Sequence, residues 1–147
     1  MAILTAVKGD SSPENILRTG ADLADAYDDT LYVVSVLPEE EYRKRRRDME
    51  SESDEVSYTV EDAQSSARQQ AQTLVAESGI EVGDVEFRSR VGKIDTEILA
   101  IAEAIDARYV VIGGRKRTPT GKALFGSVTQ RILLNADRPV VTVMQEE

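Results

Sequence analysis

Neither cysteine nor histidine occurs anywhere in these 147 residues. The first absence excludes disulfides and thiolate metal sites, and the second removes the commonest general base and metal ligand at neutral pH. Any catalysis would therefore rest on carboxylates, lysines or hydroxyls. No apolar run is long enough to span a bilayer, and Met1-Ala2-Ile3-Leu4 leads straight into a strand pattern with no charged leader or cleavage site. The expectation is a cytoplasmic protein with no membrane association. Lysine is scarce, found only at Lys8, Lys44, Lys93, Lys116 and Lys122, so arginine carries most of the positive charge.

Acids dominate instead. Asp and Glu number 27 against 18 Lys and Arg, for a net charge of -9. Such a field repels phosphate unless basic groups are segregated, which argues against nucleic acid as a partner. The excess of acid fits a salt-adapted cytoplasm such as that of a halophilic archaeon, where screening over a few ångströms makes self-repulsion tolerable. An ordinary acidic protein from a low-salt cell is the other reading of the same composition.

The length suits a single domain over residues 1–147. Short apolar runs at Ala2 to Val7, Thr30 to Leu37, Val85 to Val91, Arg108 to Gly113 and Pro139 to Met144 read as strands, mostly apolar enough for burial on both faces. Between them, apolar residues recur at helical spacing, as in Ile16, Leu17, Gly20, Leu23, Ala24 and Tyr27. Boundary signals agree, with Ser12-Pro13 opening one helix, Asp95 or Thr96 near the start of another, and Ser78-Gly79 closing a third. The order βαβαβαβαβ predicts a doubly wound α/β/α sandwich on a parallel sheet, with its ligand crevice at the strand carboxyl ends. One segment breaks the pattern. Residues 38–57 hold Glu39 to Glu41, then Arg43 to Arg47, then further acids, with almost nothing apolar to bury. This reads as a charged flexible insertion, a mobile loop or frayed helix, whose cations are neutralised by the flanking acids.

The stretch from Ile112 to Thr129 carries the most chemical information. It leaves an apolar strand, crosses a basic loop with Arg115, Lys116, Arg117 and Lys122, and enters a helix near Gly126-Ser127. Unpaired N–H groups at a helix start can hold an anion, so those of Val128 and Thr129 are candidate phosphate donors, and Ser127 can cap the helix or bond phosphate. A glycine and serine there would equally turn a chain and cap a helix with no ligand at all. Thr120-Gly121-Lys122 does not complete a P-loop, which needs glycine at Lys116 and a hydroxyl at Ala123. No nucleophile–base pair can be assembled, and the chain shows no dedicated catalytic constellation.

This stretch resembles the nucleotide-binding loop of the universal stress protein family, G-x2-G-x9-G-[ST]. Gly113, Gly126 and Ser127 match the first, third and fourth motif positions, while Lys116 stands at the second glycine. The resemblance covers essentially the whole chain. It implies a Rossmann-like fold with strand order 3-2-1-4-5, an adenine nucleotide (ATP or AMP, with Mg2+ as a companion ion), and a homodimer formed through the last strand, Val140 to Met144. It also implies site residues. Ile112, Gly113, Arg115, Lys116, Lys122, Gly126, Ser127, Val128 and Thr129 would surround the phosphates, and Val36 would line the adenine pocket. Where the family places an aspartate after the first strand, this chain has Lys8, with Asp10 two positions on as a substitute. Lys116 either obstructs the close backbone approach that glycine permits or supplies compensating charge. Two other functions stay open: an interaction module of the same fold that has lost nucleotide binding, and an enzyme of the related adenine-binding fold. Slow ATP hydrolysis is the most that the residues suggest.

If the acidic surface reflects a saline interior, the melting temperature should rise from dilute buffer to molar potassium chloride. Thermal unfolding followed by circular dichroism checks this, and equal or greater stability in dilute buffer removes the assignment.

Overall fold

A computed structural model describes residues 1–7, 13–52, 57–115 and 126–145. Its elements are β1 (Ala2–Ala6), α1 (Glu14–Tyr27), β2 (Thr30–Pro38), α2 (Glu39–Glu52), α3 (Val60–Ser78), β3 (Val85–Gly92), α4 (Ile94–Ala104), β4 (Ala107–Arg115), α5 (Ser127–Asn135) and β5 (Val140–Gln145). The five strands pair in parallel in the order β3-β2-β1-β4-β5. This is the three-layer sandwich expected from the sequence.

Two apolar clusters flank the sheet because successive strand residues point to opposite faces. On one face Ile3, Val33 and Val111 meet Ile16, Leu17 and Ala21 of α1 and Ala71 and Val75 of α3. On the other, Leu4, Val34, Val110 and Ile112 meet Ile98, Ile101 and Ala102 of α4 and Ile132 of α5. Full burial of an aliphatic side chain of this size contributes about 1.5–3 kcal/mol, so β1, with Ile3 and Leu4 at 0% exposure, is a main anchor of both layers.

The charged segment after β2 is a helix among the described residues. Three i,i+4 pairs support α2: Arg43 Nη2 donates to Glu39 Oε1 at 2.8 Å, Arg45 Nη2 to Glu41 Oε1 at 2.7 Å, and Arg46 Nε to Glu50 Oε1 at 3.0 Å. Solvent screening keeps the contribution of such exposed pairs small. The acids Glu39 to Glu41 also occupy its first turn, where the helix dipole favours negative charge. One residue does bury: Tyr42, whose hydroxyl donates to the Tyr58 carbonyl at 3.1 Å. The next helix opens on a capping box, with Thr59 Oγ1 accepting from the Asp62 N–H and the Asp62 carboxylate accepting from the Thr59 N–H. These hydrogen bonds hold the Asp62 carboxyl below the usual carboxylate range.

At the opposite end of the sheet from the strand carboxyl termini, Arg108 Nε donates to Asp29 Oδ2 at 2.7 Å, and its guanidinium carbon lies 4.3 Å from the centroid of the Tyr27 ring. The hydrogen bond from Arg108 lowers the proton affinity of Asp29. This cluster ties the starts of β2 and β4 to the end of α1.

The tightest helix–sheet contact is at Gly20 of α1. A Cβ there would collide with Thr5 Oγ1 and lie 3.2 Å from Leu31 Cδ1. Alanine is the better helix former by about 1 kcal/mol, but overpacking a full core costs about 1–3 kcal/mol, and so close a collision places the cost at the upper end. Gly20→Ala should therefore lower the unfolding free energy by about 1–2 kcal/mol in urea titration. Combining it with Thr5→Ala should recover part of that loss, and an unchanged midpoint for the single variant would refute the close packing.

Candidate functional site

Strand order places the topological switch between β1 and β4. From β1 the chain crosses by α1 toward β2, whereas β4 lies on the other side and is followed by α5. The carboxyl ends of these strands are where an open α/β sheet leaves a crevice. Val36, at the end of β2, is half-buried against the α4/α5 cluster, together with Ala6, Ile94 and Val128. These four side chains make an apolar patch near the strand ends. Ile112 belongs to the same cluster and is only 4% exposed, so its side chain is core.

Gly113 faces the other way. A Cβ on it would stand 2.8 Å from Ile16 Cδ1, so the absence of a side chain lets α1 lie close to β4. Its carbonyl accepts a hydrogen bond from Thr129 Oγ1 at 3.1 Å, which ties the first turn of α5 to the end of β4. That bond was not apparent in the sequence, since it joins residues sixteen positions apart.

Gly126 is the N-cap of α5, with φ -63° and ψ 163°, and no side chain caps the helix. Ser127, read from the sequence as a cap, is instead the first helical residue and is exposed. The reason is positional: a capping hydroxyl must stand one residue before the first turn to reach the N–H groups two and three residues on. Among the described residues the opening N–H groups of α5 have no side-chain cap, and the exposed Ser127 hydroxyl stands beside them. Among the described residues nothing lies within 4 Å of where a Gly126 Cβ would be. Of the other expected site residues, Arg115 closes β4 with its backbone in register with Gln145. Lys8, Asp10, Lys116 and Lys122 lie outside the described residues.

Three further features border this region. Arg90 of β3 is the register partner of Val36. Asp95, in the first turn of α4, is 6% exposed and has one carboxylate oxygen without a hydrogen-bond partner, 3.9 Å from Arg131 Nη1. On the opposite face a recess of about 800 Å3 opens between α1 and α3, lined by Val7, Glu14, Ser35, Gln70 and Leu74 among others. Register and helix–helix approach decide all three, and neither is written in local sequence. Among the described residues, no group of three or more carboxylates converges as a metal site, and no helix is long and apolar enough to cross a membrane.

The universal stress protein family model matches residues 1–144. The chain belongs to the universal stress protein family. A universal stress protein from Archaeoglobus fulgidus is similar to it over 97% of both chains, with 30% identity and a TM-score of 0.69. The structure of the universal stress protein from that organism in complex with dAMP aligns over 97% of this chain and 96% of its own, at 25% identity and a TM-score of 0.63. A universal stress protein from Mycolicibacterium smegmatis is 48% identical over 59 residues, a stretch that spans 40% of this chain and 45% of that protein. The family assignment and the A. fulgidus structures thus agree with the strand order.

Proposed function

We propose that this universal stress protein binds an adenine nucleotide, ATP or AMP, in the crevice between β1 and β4 and acts as a regulatory module rather than a dedicated enzyme. The observation that carries this reading is Gly126. Its φ is one that any residue adopts, and a Cβ there would meet nothing among the described residues, so neither backbone strain nor packing against them explains the glycine. Close approach of a phosphate to the uncapped start of α5 does explain it. Support comes also from the dAMP complex of the A. fulgidus protein. In this reading the phosphates lie at Gly126 to Thr129, with Ser127 and the cations Arg115, Lys116 and Lys122 around them, and the base lies on Val36. Either Asp10 substitutes for the family's nucleoside aspartate from two positions on, or Lys8 adds a phosphate contact.

Substitution at Gly126 separates ligand from fold. Gly126→Val should leave the urea midpoint near wild type, because the added Cβ meets none of the described residues, yet remove ATP binding in calorimetric titration. Lys122→Ala should weaken binding by about 1–3 kcal/mol if its ammonium donates to a charged oxygen. Lys116→Gly decides between obstruction and compensation, since tighter binding means the side chain obstructs and weaker binding means its charge is needed. Unchanged ATP affinity in Gly126→Val would overturn this placement. The other reading, an interaction module without nucleotide, draws on Lys8 and Lys116, and a wild-type chain that binds no nucleotide would favour it.

The same proposal includes a cytoplasmic homodimer through β5, an edge strand whose outer side is unpaired among the described residues. Val141 and Val143 pack toward the α1 face, so charges placed there would damage the core as well as an interface. The Val110 N–H donates to the Pro139 carbonyl, so by parallel alternation the N–H of Thr142 points to the free edge. Thr142→Pro removes that donor while sparing the β4 ladder, and should convert dimer to monomer in sedimentation. A dimer of unchanged strength in this variant would place the interface elsewhere.

A further inference from the structure

We propose that Arg90 holds the base of the bound nucleotide, its guanidinium lying against the face of a purine seated on Val36. The inference rests on the nucleotide reading above and assigns the base end of that site. Val36 and Arg90 are direct register partners, and neighbouring parallel strands stand about 4.8 Å apart, so both side chains rise from the same face at the same height. One is an apolar platform and the other a planar cation.

Arg90 is also uncommitted. Its one hydrogen bond among the described residues runs from Nη1 back to the preceding carbonyl, Ser89 O, at 2.9 Å. It is exposed and forms no ion pair among the described residues. Its neighbour on the same face, Arg88, is engaged by contrast: it pairs with Glu86 at 3.2 Å, and its guanidinium carbon lies 5.2 Å from the centroid of the Tyr32 ring. This pair of strands already holds one guanidinium against one aromatic ring. Arg88 reaches Tyr32 diagonally, two residues before its own register partner Val34; the equivalent position for Arg90 is Val34, which offers no ring, and a purine seated on Val36 supplies the missing π-face.

Distance favours the base over the phosphates. β3 and β4 are separated by β2 and β1, three strand spacings or about 14 Å, so a group on β3 lies at the far end of the crevice from the start of α5. Position 8, where the family carries its nucleoside aspartate, holds a lysine in this chain. Stacking by Arg90 supplies base affinity without a carboxylate, and it does so through a π-face that does not depend on the base's hydrogen-bonding edge.

The test is calorimetric titration of wild type, Arg90→Ala and Arg90→Lys with AMP, ATP and ribose 5-phosphate. Arg90→Ala should weaken AMP and ATP by the same factor, about 3- to 30-fold, and leave ribose 5-phosphate unchanged. Arg90→Lys keeps the charge but not the plane and should recover only part of the loss. A larger loss for ATP than AMP, or a matching loss for ribose 5-phosphate, would show the guanidinium on phosphate and overturn the inference. Nucleotide binding indifferent to both variants overturns it too, while leaving the nucleotide reading intact. A wild-type chain that binds neither AMP nor ATP overturns both together. Urea midpoints of the variants identify any loss due to unfolding, in which case Arg90→Lys, the smaller change, decides.

Discussion

Everything else in this molecule is arranged around β1. The strand is only five residues long, yet it is bonded to β2 along one edge and β4 along the other, and Ile3, Leu4 and Thr5 are wholly buried. A strand enclosed on both edges and both faces can only be apolar or nearly so. Because crossovers between parallel strands are right-handed, moving from β1 toward β2 and β3 puts α1 and α3 on one face. Moving to β4 and β5 puts α4 and α5 on the other. At the carboxyl end of β1 the two sets of connections part, and the crevice is the consequence of that divergence rather than a separate feature.

The approach of α1 to this strand explains two of the glycines without any ligand. Gly20 lets the helix pass over Thr5, and Gly113 makes room for Ile16 at the end of β4. A glycine at the first position of the nucleotide-loop pattern therefore carries little weight by itself, since packing alone requires it. Gly126 differs, because neither its φ nor any contact with the described residues calls for a glycine. Thr129, whose hydroxyl is held by the Gly113 carbonyl, links the two glycines and fixes the direction of the first turn of α5 relative to β4. A donor array is useful to an anion only when its orientation is set in advance, and this bond sets it.

Strand positions were legible because apolar runs bounded by polar turns survive as strands whatever surrounds them; those at Thr30 to Leu37 and Val85 to Val91 extend by one residue in the structure. Strand order was legible only through family resemblance, since periodicity says nothing about which strand lies beside which. α2 was harder, as its composition resembles a solvated loop and its support comes from i,i+4 charge spacing and one buried tyrosine. The Thr59-Asp62 capping box was present in the sequence as a local signal and went unread. At the site, the glycines and the helix start could be read, but the pairing of Val36 with Arg90 could not. Register is a property of two strands packed under helices, and a one-residue slip would send Arg90 to the opposite face.

An anionic ligand on a chain of net charge -9 poses an electrostatic problem that distance resolves. The repulsion is the sum of many carboxylates spread over the surface, mostly beyond contact range, and the screening length of about 8 Å at physiological ionic strength falls to about 3 Å at 1 M salt. In the proposed complex, bonds from the first N–H groups of α5 would act at contact distance, and stacking of a guanidinium on a base would depend on desolvated contact as much as on charge. Salt therefore weakens the two sides unequally, suppressing the diffuse repulsion more than the local attraction. An acidic protein in a saline interior can keep its surface charge and still hold a nucleotide, provided that the attractive groups are few, preoriented and in direct contact. In the proposed site, a helix start fixed by Thr129, an apolar platform at Val36 and Arg90 beside it, unpaired with acids among the described residues, would meet that condition.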